Sequence, residues 1–587
     1  MGEPIRIANC SGFFGDRRSG AREMVEGGPI DVLTGDWLAE LTMWILARTR
    51  EKRPGGGYAR TFVSQMEDVM GACLERGIKV VSNAGGLDPD GCADAVAEAA
   101  ARLGLSPRIA YVRGDDLMPR LDALVAEGRL RTFEGDEPIA DPGRFRTANA
   151  YLGCWGIVDA LSRGADIVVT GRVTDAAVVC GPAAWHHGWR RDDWDALAGA
   201  VVAGHLIECS SQVTGGNYAF FEEVPGLSHP GFPFAEVAAD GSCVIGKHAG
   251  TGGEVSIGTV TSQLLYEIAG PAYHGPDVTA RFDTIRLESL ERDRVRVFGA
   301  RGEPPPETLK VCMNRLGGYR NDMRVGLAGL DVEAKARVVA EAFWRACPYG
   351  PEDYERVTTR LSRTDKIDPE TNDEAIAVWH VAVKDVDPKK TGRAFSDAVT
   401  ELALASIPGF FPIGGGPAEA RPFGVYEPAR IDAGLVSQEV VLLGGESHAV
   451  ESVAPRGTVT IVPAKGPDVA RPTGPTRRAP IGRVVGARSG DKGGNANLGV
   501  FVRDDAAWAW LDDFLTTDRL AALLPEVAAF EVERFAFPAL RSLNFVIHGL
   551  LEEGVAASTR QDAQAKSLGE WLRARIVDVP VALLTRS

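Results

Sequence analysis

Gly164-Ala165-Asp166-Ile167-Val168-Val169-Thr170-Gly171-Arg172-Val173-Thr174-Asp175 is the stretch on which the fold turns. A short β-branched run ends at glycine, and arginine and aspartate stand just beyond it, as at the exit of a strand feeding a helix. The same unit repeats from the start of the chain to about residue 210. Short β-branched runs fall at 5–9, 30–33, 78–82, 108–112 and 166–170, separated by helix-like runs at 36–51, 61–76, 90–103, 117–126 and 149–162. Asp88-Pro89 sets up the third of these helices and Gly104 stops it. The expected fold is α/β, with a Rossmann-like, mostly parallel sheet in this N-terminal region.

In such sheets ligands bind beyond the carboxyl ends of the strands, so the five exits carry the functional reading. They are Cys10-Ser11-Gly12, Thr34-Gly35-Asp36, Asn83-Ala84-Gly85-Gly86, Gly114-Asp115-Asp116 and Gly171-Arg172-Val173-Thr174-Asp175. Each joins glycine to polar chemistry. Glycine turns expose backbone N–H groups, and a following helix N-terminus adds positive potential, which suits a phosphate or carboxylate ligand. Turn geometry and capping explain the same residues without any ligand. Asp36 and Glu40, four apart on the expected helix, would share a face, and close carboxylates raise one another's pKa. Arg172 could hold a carbonyl oxygen with Asp175 orienting it, or the two could form a structural ion pair. His205, Glu208 and Cys209 lie within one helical turn, giving a base, its orienter and a candidate nucleophile, followed by the loop Gly215-Gly216-Asn217. No G-x-G-x-x-G or phosphate-loop spacing occurs, so nicotinamide and ATP use are disfavoured. No metal site is expected either.

Residues 195–330 mix one helix, at about 195–211, with glycine-rich β segments. Asp240-Gly241 there reads as a two-residue hairpin turn. Helices at 332–346 and 391–405 flank a strand at 375–383. The proline-rich stretch 463–480 reads as a linker, dividing an α/β region at 1–462, with 1–210 and 211–462 as possible parts, from a domain at 481–587. The last domain reads as a ferredoxin-like α+β fold with strands at 481–487, 498–502, 529–537 and 543–550, and helices over 506–524 and 561–575. The polar stretch 487–497 between its first two strands reads as a binding loop in which Arg488 and Lys492 could hold a phosphate or an acidic partner.

The chain carries 68 glycines in 587 residues, well above the roughly 7% of an average domain, and 45% hydrophobic residues, enough to build cores. A net charge of −16 opposes nucleic acid and anionic membrane surfaces. No signal sequence or apolar span is visible, and the nine cysteines are odd in number and lack a Cys-x-x-Cys pair, so a cytoplasmic protein with reduced thiols is expected.

Asp31–Thr42, Ser82–Leu87, Gly164–Asp175 and Gly204–Asn217 together resemble the acyclic terpene utilisation (AtuA) family over about 5–460, and 480–580 resembles the ferredoxin-fold domain often attached to it. The resemblance implies a setting in catabolism of branched or terpenoid acyl-CoA thioesters. It supplies no catalytic roles. The expected function is lyase or hydratase chemistry on such a thioester, with CoA entering as part of the substrate and no tightly bound cofactor. Asp36, Asp175 and His205 would handle protons, with Glu208 orienting His205, Arg172 and the Asn83–Gly86 amides would stabilise an enolate-like oxygen, and Ser11, Gly12, Asn83, Gly85, Gly86, Gly215, Gly216, Asn217, Arg488 and Lys492 would bind the ligand. The alternatives are a non-catalytic acyl-CoA-binding or partner-docking subunit, and a thioester hydrolase using Cys209 or a serine. A homo-oligomer is expected, with a small-molecule acyl-CoA as ligand.

Overall fold

Five β-branched runs become five parallel strands: Ile5–Asn9, Val32–Gly35, Lys79–Ser82, Ile109–Arg113 and Ile167–Thr170. The structure is a computed structural model that describes residues 2–53, 55–450 and 469–584. In space the fifth strand inserts between the third and the fourth, giving the order first, second, third, fifth, fourth. This is not the 3-2-1-4-5-6 order of a dinucleotide-binding sheet, so mixed α/β is the description that holds. Antiparallel strands extend the parallel core on both edges to eleven. Pro233–Val237, Cys243–Lys247, Arg294–Phe298 and Arg286–Glu291 add beyond the first strand, and Gln438–Leu442 and Ser447–Val450 beyond the fourth.

Alternate residues of the central strands enter two cores. Ile7, Val32, Val81, Ala110 and Val168 pack with the helices Trp155–Ser162, Ala177–His187 and Trp194–Ile207. Ala8, Leu33, Val80, Tyr111 and Val169 pack with Gly20–Gly27, Arg60–Arg76 and Pro89–Arg102. Strands without polar alternation need cover on both faces, and the helices give it. Trp194–Ile207 is buried along almost its whole length, because it lies between the sheet and outer strands. Its Gly199 permits this: a Cβ there would stand 2.1 Å from the Gly241 carbonyl oxygen.

Several expectations shift. The helix expected from 36 begins at Glu40, since the Asp36 carboxylate accepts from Leu38 N (3.1 Å) and Trp37 N donates to Asn83 Oδ1 (2.8 Å), holding 36–39 out of the helix. The helix expected from 149 starts at Trp155, because Phe145–Ala150 is a strand. The Asp240-Gly241 turn has three linking residues, with Ala238 N donating to Ser242 O. Gly241 alone takes a left-handed conformation (φ 82°), as a type I turn followed by a bulge requires. The long strand Thr308–Ala328 had no recognisable signal.

The chain divides into two compact units. The first comprises Met1–Asn314, Tyr426–Val555 and Asp562–Ser587; the second comprises Arg315–Val425 and Ala556–Gln561. In the second, antiparallel strands including Arg356–Ser362 and Ile376–Asp385 carry the helices Val332–Ala346 and Arg393–Glu401 over a core of Val339, Phe343, Trp379 and Phe395.

The C-terminal part of the first unit is a four-stranded antiparallel sheet ordered Gly486–Lys492, Asn495–Phe501, Ser542–Ile547, Val532–Phe537. The helices Asp505–Phe514, Thr517–Leu523 and Leu568–Arg573 contribute to its core, and Thr476–Pro480 pairs with Ile576–Pro580. The expected linker lies partly outside the described residues, at 463–468, and its end is the strand Thr476–Pro480. The stretch 487–497, expected as an open loop, is a tight hairpin. Its ladder runs from Gly486↔Phe501 to Lys492↔Asn495, and only Gly493-Gly494 turn the chain. Between Ala487 and Asn497 it is mostly small, polar or charged residues, which carry little strand signal. Among the described residues, no helix is long and apolar enough to cross a membrane.

Candidate functional site

The site grows from the exit of the strand Ile167–Thr170. Asp115, at the exit of the neighbouring strand, accepts at Oδ2 from Arg172 N (2.9 Å) and Asn149 Nδ2 (2.7 Å), fixing the backbone from which Arg172 projects. Burial raises the Asp115 carboxyl to about 7. Arg172 is 1% exposed. Its Nη1 donates to Asp175 Oδ1 (2.6 Å) and its guanidinium lies 4.2 Å from the centre of the Tyr151 ring, while Nε has no hydrogen-bond partner. Burial opposes its charge, but Asp175, Tyr151, Glu40 and Asp36 outweigh that and hold it cationic.

Two carboxyls beside Arg172 are driven toward the protonated form. Burial raises Asp36, and Asp175 adds to the rise against the pull of Arg172 and the hydrogen bond from Asn83 Nδ2 (2.5 Å). Burial also raises Glu208, with Asp175 and Glu267 adding to it. His205 stands beside Glu208. Its Nε2 lies 3.1 Å from the Gln263 carbonyl, which can only accept, so Nε2 carries the proton and Nδ1 is bare. Nδ1 lies 3.2 Å from Glu208 Oε1 without hydrogen-bond geometry between them. Burial lowers His205 to about 4, so the ring is neutral and not a cation. Glu208 Oε2 is buried and has no partner.

Glu40 behaves oppositely. Burial would raise it, but Lys310, Arg172 and the Tyr151 hydroxyl, which donates to Oε1 (2.7 Å), hold it at about 2. The Lys310 ammonium is 3.5 Å from that oxygen and near the rings of Tyr151 and Tyr426. The Tyr426 hydroxyl is buried without a partner.

The C-terminal sheet closes the cluster. Successive residues of a strand face opposite ways, so Leu498 and Val500 enter its own core while Asn497 and Gly499 face the segment Leu265–Gly270 of the α/β body. A Cβ on Gly499 would be 2.4 Å from Leu265 Cβ, and one on Gly490 would be 2.4 Å from the Tyr266 ring. Those two glycines form the seat. Lys492 donates to the Glu267 carbonyl (2.8 Å) and is lowered to about 8 by burial and by Lys310. Arg488 stacks on Tyr266 (4.2 Å) and bonds Gln212 Oε1. Both cations turn toward the α/β body, from a hairpin where an open loop was expected.

Asp36, Arg172, Asp175, His205 and Glu208 are thus brought together. The glycine loops do other work. Gly12 N donates to Asp16 Oδ2 (2.9 Å), and a Cβ there would strike Ser210 N at 2.5 Å, so Gly12 lets the first loop reach the end of the helix that carries His205. Ser11 Oγ donates to Phe13 O (3.1 Å). The Gly86 amide donates to the Asn83 carbonyl (3.2 Å), and Gly85 lies where a Cβ would meet Thr170 O. The Ala84 and Gly86 amides are therefore engaged within the turn. Gly215-Gly216-Asn217 fold on Ser211 and Val224, and no described bond joins them to the cluster. Cys209 is raised by burial, then by Glu208 and Glu267, which opposes the thiolate a nucleophile needs. Among the described residues, no group of three His, Cys, Asp or Glu side chains is placed to hold a metal ion. Sequence reasoning missed Lys310, Tyr151, Tyr426 and Glu267; none lies in a motif, and each reaches the cluster only through the tertiary fold.

A mixed α/β body closed by an α+β domain over a buried cluster of carboxyls and cations is the class this geometry defines. The chain belongs to the acyclic terpene utilisation family: the model for acyclic terpene utilisation family protein AtuA matches residues 5–442, and that for the AtuA ferredoxin-like domain matches residues 479–578. Membership implies involvement in acyclic terpene utilisation. No curated relative and no solved structure matches the chain.

Proposed function

We propose that the protein is an enzyme that moves protons on a branched or terpenoid acyl-CoA thioester, by lyase or hydratase chemistry. The carrying observation is Arg172, buried with an unpartnered Nε among Asp36, Asp175 and Glu208. A thioester that loses or gains a proton at its α-carbon passes through an enolate-like oxygen, and a desolvated guanidinium N–H stabilises such charge far better than water does. Glu208, beside His205 with Oε2 facing no partner, supplies the proton, and an ionised neighbour among the carboxylates accepts one. Carboxyls with environments that push their pKa values apart divide acid and base roles in this way. Hydrolysis through Cys209 is disfavoured by the carboxyls around the thiol.

The test is incubation of the purified protein with a panel of branched-chain acyl-CoAs in deuterated water, followed by mass spectrometry. The expected result is deuterium at the α-position or a change of mass, falling by about 100-fold or more in Arg172→Met. Binding without label or turnover across the panel overturns the reading and favours a non-catalytic acyl-CoA-binding subunit.

A further inference from the structure

Glu267 is a non-glycine residue in the left-handed region, with φ at 58°. Such conformations persist only where the surroundings over-determine them, and they gather at working sites. Here the surroundings belong to the C-terminal domain. Glu267 N donates to Asn497 Oδ1 (2.8 Å), and Lys492 Nζ donates to the Glu267 carbonyl (2.8 Å). Asn544 Nδ2 donates to the carbonyls of Ile268 (3.0 Å) and Ala269 (2.6 Å), and Asn497 Nδ2 bonds Asn544 Oδ1. Both asparagines are buried, in a sheet face where apolar residues would be ordinary. Three side chains thus hold the backbone of one bend of the α/β body.

The bend delivers a carboxyl to the cluster. Glu267 is faced by Asp491 and Lys492 of the hairpin, by Lys566, and by Glu40. From the other side it acts on His205, Glu208 and Cys209 at the helix end, with Tyr266 and Tyr273 alongside. Burial, then Asp491, push it up to about 7 against the pull of Lys566.

We propose that the ferredoxin-like domain is the clamp of Glu267: Asn497 and Asn544 are positioning residues that hold the left-handed bend, and Glu267 is a further acid of the site beside Glu208. The acid role rests on the acid/base reading above; the clamp does not. Because both asparagines are uncharged, removing either changes the geometry around Glu267 without removing a charge.

Two measurements test it. Infrared difference titration of the full-length protein should show protonated carboxyl intensity lost as pH rises through about 7, to which Asp115 and Glu267 both contribute, and Glu267→Gln should remove the Glu267 share. In Asn497→Ala that share should move toward the ordinary glutamate range near about 4.3. Asn544→Ala provides the same test if the first variant does not fold. A Glu267→Gln titration that matches wild type, or a Glu267 share unmoved in the folded asparagine variant, overturns the clamp. In the acyl-CoA exchange assay, Glu267→Gln should lower kcat by about 100-fold or more, as should Glu267→Asn, which tolerates the left-handed backbone. Activity within about threefold of wild type overturns the acid role. A wild type that turns over no thioester removes the acid role together with the acid/base reading, while the infrared titration still decides the clamp.

Discussion

Asp115→Asn isolates the electrostatic term that burial imposes beneath Arg172. Both donors to Asp115 converge on one oxygen, from Arg172 N at 2.9 Å and Asn149 Nδ2 at 2.7 Å, so an amide oxygen in that place keeps both bonds and removes only the titration. The folded pKa is raised, to about 7 from 3.8. For a raised acid, stability is fully present below the unfolded value and is lost as pH rises through the folded one. The loss therefore begins near 3.8 and is complete just above about 7. At about 1.4 kcal/mol per unit, the wild type should lose roughly 2–3 kcal/mol between about pH 5 and about pH 8 that Asp115→Asn does not lose. Urea unfolding of both proteins at the two pH values, followed by a probe of the α/β body, gives the difference. Any fixed effect of the amide cancels. A double difference below about 0.5 kcal/mol, or one of opposite sign, refutes the claim that the buried carboxyl resists ionisation.

Glu40 runs the other way, since its pKa is depressed from 4.5 to about 2: its contribution is present above the unfolded value and is lost as pH falls toward about 2, so Glu40→Gln should flatten the acid limb of the stability curve. With the side chain about one-third exposed, screening reduces that contribution to about 1–2 kcal/mol, and equal acid unfolding of variant and wild type would contradict it. Gly499→Ala places a methyl 2.4 Å from Leu265 Cβ, an overlap costing about 1–3 kcal/mol at the seat. Hydrogen exchange should rise at 265–270 while Leu498, Val500 and the helices behind them stay protected. Unchanged protection at 265–270 would show that the seat has room.

The parallel strands were legible because Ile, Val and Thr in short runs suit few other conformations, and their ends fell within two residues of expectation. Asp36 misled because an aspartate before a helix can cap it or divert the chain, and its local bonds to Leu38 and Asn83 decide for diversion. The stretch 487–497 misled for a related reason: small polar residues read as a loop until a facing surface is known, and here that surface is Leu265 and Tyr266. Arg172, Asp175, His205 and Glu208 could be found because each stands at a strand exit or a helix end. Glu267 and Lys310 could not, since their partners Asn497 and Glu40 lie 230 and 270 residues away. Nothing local marks a residue whose role is set at that distance.

The docking face of the last domain is largely glycine, asparagine and arginine, with Phe501 and Phe537 joining the main core at one side. Hydrogen bonds of this kind contribute only about 1 kcal/mol each in water, so two separately expressed halves would meet weakly. Carried on one chain, the same face is presented at an effective concentration of order millimolar. Cutting the chain just before the strand Thr476–Pro480 should therefore disable the site by dilution, even though both halves would keep every residue that builds it.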